Sequence, residues 1–112
     1  MIRVILADDH TLVRAGIRRI LESQPRFTVV AEAQSGSETV AALQQHAADT
    51  DVLVLDLNMV GLEGIDLLRY TKSTYPHVKV VILTMHAGRE YVARALAEGA
   101  DGYLLKDSAV QD

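Results

Sequence analysis

Four apolar runs in this chain end in polar residues that could do chemistry. Asp8 and Asp9 follow Ile2–Ala7, Asp56 follows Val52–Leu55, Thr84 follows Val78–Leu83, and Lys106 follows Gly102–Leu105. Singly, each has a plain structural use. An aspartate after a strand caps the next helix or lies in a solvated loop, a threonine packs at a strand end, and a lysine is a solvated cation. Gathered at one place they make a different object. Three crowded carboxylates repel one another unless a cation lies among them. An all-oxygen donor set suits a hard dication such as Mg²⁺ better than zinc. The Lys106 ammonium and the Thr84 hydroxyl would then receive an anion arriving on the metal.

The elements that must position these groups are legible around them. Val52–Leu55 is an unbroken apolar run with Gly61 and Gly64 beyond it, a pattern that predicts a strand buried on both faces of a parallel sheet. Ile2–Ala7, Phe27–Ala33, Val78–Leu83 and Gly102–Leu105 predict four more strands. Leu12, Val13, Gly16, Ile17, Ile20 and Leu21 recur at helical spacing, and Pro25 lies past the helix end. Ser35 and Glu38 form a capping box that opens a helix reaching about His46. Ile65, Leu67, Leu68 and Tyr70 mark a helix stopping before Pro76. Tyr91, Val92, Ala95 and Leu96 mark another over Glu90–Glu98, which Gly99 ends.

Alternating strands and helices specify a parallel sheet covered on both faces. Five such units predict an α/β, flavodoxin-like, doubly wound sheet of order 2-1-3-4-5, with its ligand site where strands one and three part. The polar strand ends would then converge on one edge. Asp107 or Ser108 predicts a helix cap, but Asp112 follows after barely a turn. The fifth helix is therefore expected to be truncated. The native chain would continue, or a partner would cover strands three to five, and the 112-residue form would otherwise self-associate or lose stability.

Composition narrows the function classes. With 112 residues this is one domain with room for a core, and its apolar content of 49% suits a globular protein. The absence of cysteine excludes disulfides, thiolate metal sites and a cysteine nucleophile. A formal charge of −4 argues against a nucleic-acid surface on this domain. No apolar run approaches the roughly 18 residues of a membrane span, and the N-terminus does not resemble a signal peptide. A cytoplasmic protein is expected.

The segments ADDH at 7–10, VLVLDLNM at 52–59, VVILTMH at 80–86 and GYLLKD at 102–107 together resemble the receiver domain of a two-component response regulator. LVRAGIRRIL at 12–21, the TMH triplet at 84–86 and AEGADGYLLKD at 97–107 resemble the NarL/FixJ subgroup, in which a LuxR-type helix-turn-helix follows the receiver. The resemblance implies that residues 1–112 form the receiver, with the DNA-binding output lying outside this chain. It further implies phosphorylation of Asp56 by a sensor histidine kinase. Asp9 and Asp56 would ligate Mg²⁺ through carboxylate oxygens, Asp8 through water and Asn58 through its backbone carbonyl. Thr84 and Lys106 would hold the phosphoryl oxygens, and Tyr103 would turn inward as Thr84 moves. Asn58 and His86 would modulate phosphoryl lifetime, and Met85 would hinder water or small phosphodonors. Arg89, Tyr91 and Arg94 would lie on the face that commonly dimerises. His10, His46 and His77 show no metal spacing and read as surface residues.

Two positions depart from the family pattern. Val60 stands where proline usually follows Met59, which would loosen the loop carrying the Asn58 carbonyl. Asp107 stands where many receivers carry a cis proline, and a cis bond is not expected there. An aspartate-nucleophile phosphatase of the haloacid-dehalogenase type would need a carboxylate at position 58, where Asn58 stands. A flavin module would need a Ser/Thr/Gly-rich loop where Asp8 and Asp9 stand. A degenerate receiver that is never phosphorylated and acts as an interaction module is the alternative reading, against which stand the five site residues, all present here.

Overall fold

The computed structural model describes residues 1–57, 64–84 and 89–105, apart from the side chains of Arg89, Glu90, Tyr91 and Leu105. The strands are β1 (Ile2–Ala7), β2 (Phe27–Ala33), β3 (Val52–Asp56), β4 (Lys79–Thr84) and β5 (Gly102–Leu105). The helices are α1 (Thr11–Glu22), α2 (Gly36–His46), α3 (Gly64–Thr74) and α4 (Arg89–Ala97). The sheet order is β2-β1-β3-β4-β5 with every pairing parallel, as the alternation predicts.

The central strands are apolar on both sides because both sides are covered. One core gathers Ile5, Leu53, Leu55, Val80 and Ile82 with Leu43 of α2, Leu67 and Leu68 of α3, and Ala95 of α4. The other gathers Val4, Leu6, Val54 and Leu83 with Ile17 of α1 and Val29 of β2. On this second side β5 presents Leu104, paired with buried Leu83 yet 47% exposed. The expected truncation of a fifth helix falls on residues 106–112, outside the described residues.

Local chemistry sets the helix ends. Ser35 accepts the Glu38 N–H at 3.2 Å, while Glu38 reaches back to the Gln34 N–H at 3.1 Å, one residue earlier than the usual reciprocal box. At the end of α4 the Ala100 N–H donates to the Ala95 carbonyl and the Gly99 N–H to Leu96, with Gly99 at φ +110°. These two bonds make a Schellman stop, which needs the left-handed residue that glycine supplies. A short 3₁₀ turn, Ala47–Asp49, joins α2 to β3. Three residues are too few to show a period, so the sequence does not announce it. Val78 is buried but belongs to the turn before β4, its N–H bonded to Tyr75.

Two further features matter below. The β1–β2 register shifts between Val4 and Ile5, so that Val4 pairs with Val29 but Ile5 with Ala31. On the opposite flank, α3 clasps the turn that joins α4 to β5. Arg69 forms two bonds to Glu98 at 2.6 and 2.8 Å, and Lys72 donates to Asp101 at 3.0 Å. Asp101 also accepts the Val80 N–H at 2.9 Å. Partial burial works to raise the Asp101 pKa, but the Val80 N–H and Lys72 outweigh it and hold the carboxyl below its ordinary value.

Candidate functional site

The parallel sheet brings the ends of β1, β3 and β4 to one edge, because all its strands run in the same direction. Asp8 and Asp9 continue from β1, Asp56 is the last residue of β3, and Thr84 is the last of β4. Asp8 and Asp56 are fully buried, Thr84 is nearly so, and Asp9 is partly exposed. Oxygens of Asp8, Asp9 and Asp56, together with His10 Nδ1, all lie within 4.8 Å of one another. The switch point between β1 and β3 thus carries a compact acidic cluster.

His10 closes one side of it. Its Nδ1 lies 3.0 Å from Asp9 Oδ1, 3.3 Å from Asp8 Oδ1 and 4.0 Å from Asp56 Oδ2. His10 is a surface residue, as expected, yet its ring also stands against the acidic cluster, which the expectation of no metal spacing did not foresee. Spacing along the chain is blind to Asp56, which β3 delivers from elsewhere in the sequence. His46 precedes the 3₁₀ turn, and His77 makes a 2.7 Å contact with the Ala47 carbonyl, both away from the cluster.

The turn that carries Asp8 and Asp9 is pinned by its own backbone. The Asp8 N–H donates to Ala33 at 3.0 Å, extending the β1–β2 ladder, and Asp8 Oδ1 accepts the His10 N–H at 2.8 Å. The His10 carbonyl accepts the Arg14 N–H at 2.8 Å, starting α1. Arg14 adds a bond that sequence reasoning missed. Its buried guanidinium donates through Nη1 to the Asp8 carbonyl at 2.7 Å and through Nε to Glu32 Oε1 at 2.8 Å. Arg18 donates to the other Glu32 oxygen and to Glu22 at 3.1 Å. Those carboxylates, Glu22 before Glu32, raise the Arg18 pKa above its ordinary value.

Gly64 is a second residue whose role exceeds punctuation. A Cβ there would lie 2.6 Å from Leu57 Cα and 2.7 Å from Leu57 O. Only glycine lets α3 start this close to the residue after Asp56. Tyr103 stands on β5 opposite Ile82, on the sheet face that Thr84 shares, and is half exposed. Asn58, Val60, Met85, His86, Lys106 and Asp107 lie outside the described residues, as do the side chains of Arg89 and Tyr91.

The carboxylates fit a hard dication. They are three, they are clustered, and their oxygens match the ligand type that such ions prefer. Asp9 Oδ1 is shielded from solvent and approaches His10 without hydrogen-bond geometry, so the contact leaves it available as a donor.

A family model described as the response regulator receiver domain matches residues 4–112. The chain belongs to this family. The receiver is 41% identical over 112 residues to the response regulator UvrY of Escherichia coli, covering 100% of this chain and 50% of the relative. It is 35% identical over 109 residues to the nitrate/nitrite response regulator NarL of Escherichia coli, covering 97% of this chain and 50% of that protein. The chain spans about half the length of the curated relatives it matches. Among solved structures, the NarL receiver of Mycobacterium tuberculosis superposes with a TM-score of 0.88 at 33% identity, covering 98% of this chain and 90% of that one. The non-phosphorylated RcsB receiver of Escherichia coli superposes at 0.90 and 33% identity, covering 99% and 86%. The relatives are NarL/FixJ-type regulators, and this receiver is of that type.

Proposed function

We propose that the chain is a phosphoryl-accepting switch in which a sensor histidine kinase phosphorylates Asp56. The observation that carries this reading is the burial of Asp56 at the end of β3 within an oxygen-rich cluster shared with Asp8 and Asp9. A carboxylate oxygen of Asp56 attacks phosphorus, forming an O–P bond as the donor's N–P bond breaks and the electron pair leaves with the kinase imidazole. Such transfers need positioning and charge neutralisation more than further covalent chemistry. Asp9 and Asp56 would hold Mg²⁺ directly, Asp8 through water and Asn58 through its backbone carbonyl. Mg²⁺, when bound, neutralises charge on the phosphoryl oxygens.

The other residues receive and transmit the new charge. Thr84 donates its hydroxyl to a phosphoryl oxygen, and Lys106 contributes an ammonium. The phosphoryl group adds a charge of roughly −1.5 to −2. Thr84 moves inward to meet it, and Tyr103, half exposed in this structure, turns into the vacated space. Asn58, Met85 and His86 set how long the acyl phosphate survives. The altered α4–β5 surface, including Arg94, Arg89 and Tyr91, pairs two copies. The chain is consumed and regenerated in this cycle, so its role is that of a self-catalysing acceptor rather than a turnover enzyme.

The output is transcriptional, through a LuxR-type helix-turn-helix beyond residue 112, and the setting is the cytoplasm. The relatives' names support this, since one is the transcriptional regulatory protein DegU of Brevibacillus brevis. The isolated RcsB receiver of Salmonella enterica, 33% identical, has been solved in the presence of the phosphomimetic BeF₃⁻. Among the described residues no helix is long and apolar enough to cross a membrane.

Intact-mass spectrometry after incubation with a small phosphodonor and Mg²⁺ tests the reading. One phosphoryl adduct is expected, absent from Asp56→Ala and from metal-free samples. An adduct that survives Asp56→Ala overturns the assignment. If no adduct forms, beryllofluoride titration decides: saturable binding retains the acceptor site and assigns the block to donor access, and no binding overturns it.

A further inference from the structure

We propose that Arg14 is a positioning residue for the divalent-cation site, acting through the backbone of Asp8. The inference rests on the reading of the acidic cluster as a Mg²⁺ site. Asp8 is held on three of its polar groups. Its N–H is tied to β2, its Oδ1 to the His10 N–H, and its carbonyl to Arg14 Nη1 at 2.7 Å. The third bond is the one that a side chain supplies to the backbone of Asp8; the His10 ring approaches only the carboxylate, at 3.3 Å. The Asp8 carbonyl belongs to the peptide plane whose nitrogen is that of Asp9, so fixing the oxygen fixes that plane and with it the position of the Asp9 Cα from which the carboxylate is carried.

The guanidinium is itself held in place. Arg14 is largely buried, and its Nε bond to Glu32 leaves Nη1 directed at the carbonyl. Arg18 grips the second Glu32 oxygen, so that the carboxylate cannot swing away from Arg14. A chain of charged hydrogen bonds therefore runs from Glu22 through Arg18, Glu32 and Arg14 to the turn bearing two of the three carboxylates. The planar fork of arginine suits this double duty, and lysine can satisfy only one partner well. Groups behind a metal's direct ligands tune affinity by orienting those ligands. Arg14 does so here from outside the cluster.

The test is Mg²⁺ affinity by titration calorimetry on the 112-residue chain, with circular dichroism confirming that each variant is folded. Arg14→Met keeps the apolar stem and removes both bonds, and it should weaken Mg²⁺ about tenfold or more. Arg14→Lys, with one donor able to reach the carbonyl, should recover part of that loss. Val29→Ala lowers stability on the same strand as Glu32 without touching the turn, and should bind Mg²⁺ as the parent does. Folded Arg14→Met with parental affinity overturns the proposal, and so does Val29→Ala weakening to the same degree. If Arg14→Met does not fold, Glu32→Leu, which removes the acceptor of the Arg14 Nε bond, takes its place: weakened binding supports the proposal, and parental affinity overturns it. A parent chain that binds no Mg²⁺ would instead overturn the reading of the cluster as a metal site.

Discussion

Leu57 occupies the space where a side chain on Gly64 would begin, its Cα only 2.6 Å from the position of a Cβ. The contact ties the first residue of α3 to the residue that follows Asp56. Gly64→Ala should therefore force backbone apart rather than a flexible side-chain tip. A stability loss of about 1–3 kcal/mol is expected from such overpacking. Chemical denaturation would measure it, and an unchanged midpoint would show that the loop yields freely.

The crowding of Asp8, Asp9 and Asp56 has a thermodynamic signature. Without a divalent cation, Asp56→Asn removes one of three mutually repelling charges. It should raise stability by something on the order of 1 kcal/mol in chelator-treated buffer. Mg²⁺ should stabilise the parent more than the variant. Thermal melts with and without Mg²⁺ give both comparisons, and a variant less stable than the parent without metal would contradict them.

Acid should loosen the clasp between α3 and the α4–β5 turn. The Asp101 carboxyl is held below its ordinary value when folded, so its contribution is present above the unfolded pKa near 3.8 and is lost as pH falls through the lower folded value. Glu98 is shifted the same way by its hydrogen bonds from Arg69. In a series of denaturation curves from about pH 6 downward, the stability gap between parent and Asp101→Asn should shrink below about pH 4. A gap that widens in acid would reverse the sign.

Ser35→Ala should cost about 1 kcal/mol, the usual worth of an N-cap hydroxyl. Because Glu38 bonds the Gln34 N–H independently of Ser35, Glu38→Ala should add a separate loss. Near-additivity in a double-mutant cycle would confirm that the two bonds act apart.

What the sequence made legible follows from what is local or periodic. Val52–Leu55 reads as a doubly buried strand because it is continuous, and the five runs with their spacers predict the sheet order. The convergence of Asp8, Asp9, Asp56 and Thr84 follows from parallel strands alone. Arg14 was not legible, since its partners depend on which strand lies beside β1. At its place in the helical period it reads as one more charge on a polar face. His10 was hidden for a similar reason, because its nearness to Asp56 spans two strands. Gly64 showed as punctuation, while its contact with Leu57 depends on where α3 begins relative to the end of β3.

The shift of register between Val4 and Ile5 decides which helix Glu32 addresses. With Val30 looped out of the pairing, Glu32 lies opposite Leu6, on the α1 side of the sheet. In an unbroken ladder it would lie opposite Ala7 and turn its carboxylate toward the apolar core of the other side. Closing the bulge with Val30 retained would therefore leave every recognisable receiver motif in place while removing the anchor of Arg14, whereas deleting Val30 would keep Glu32 opposite Leu6. Two chains with the same signature residues can thus differ in function through the register of an edge strand, a difference that residue-by-residue matching does not weigh.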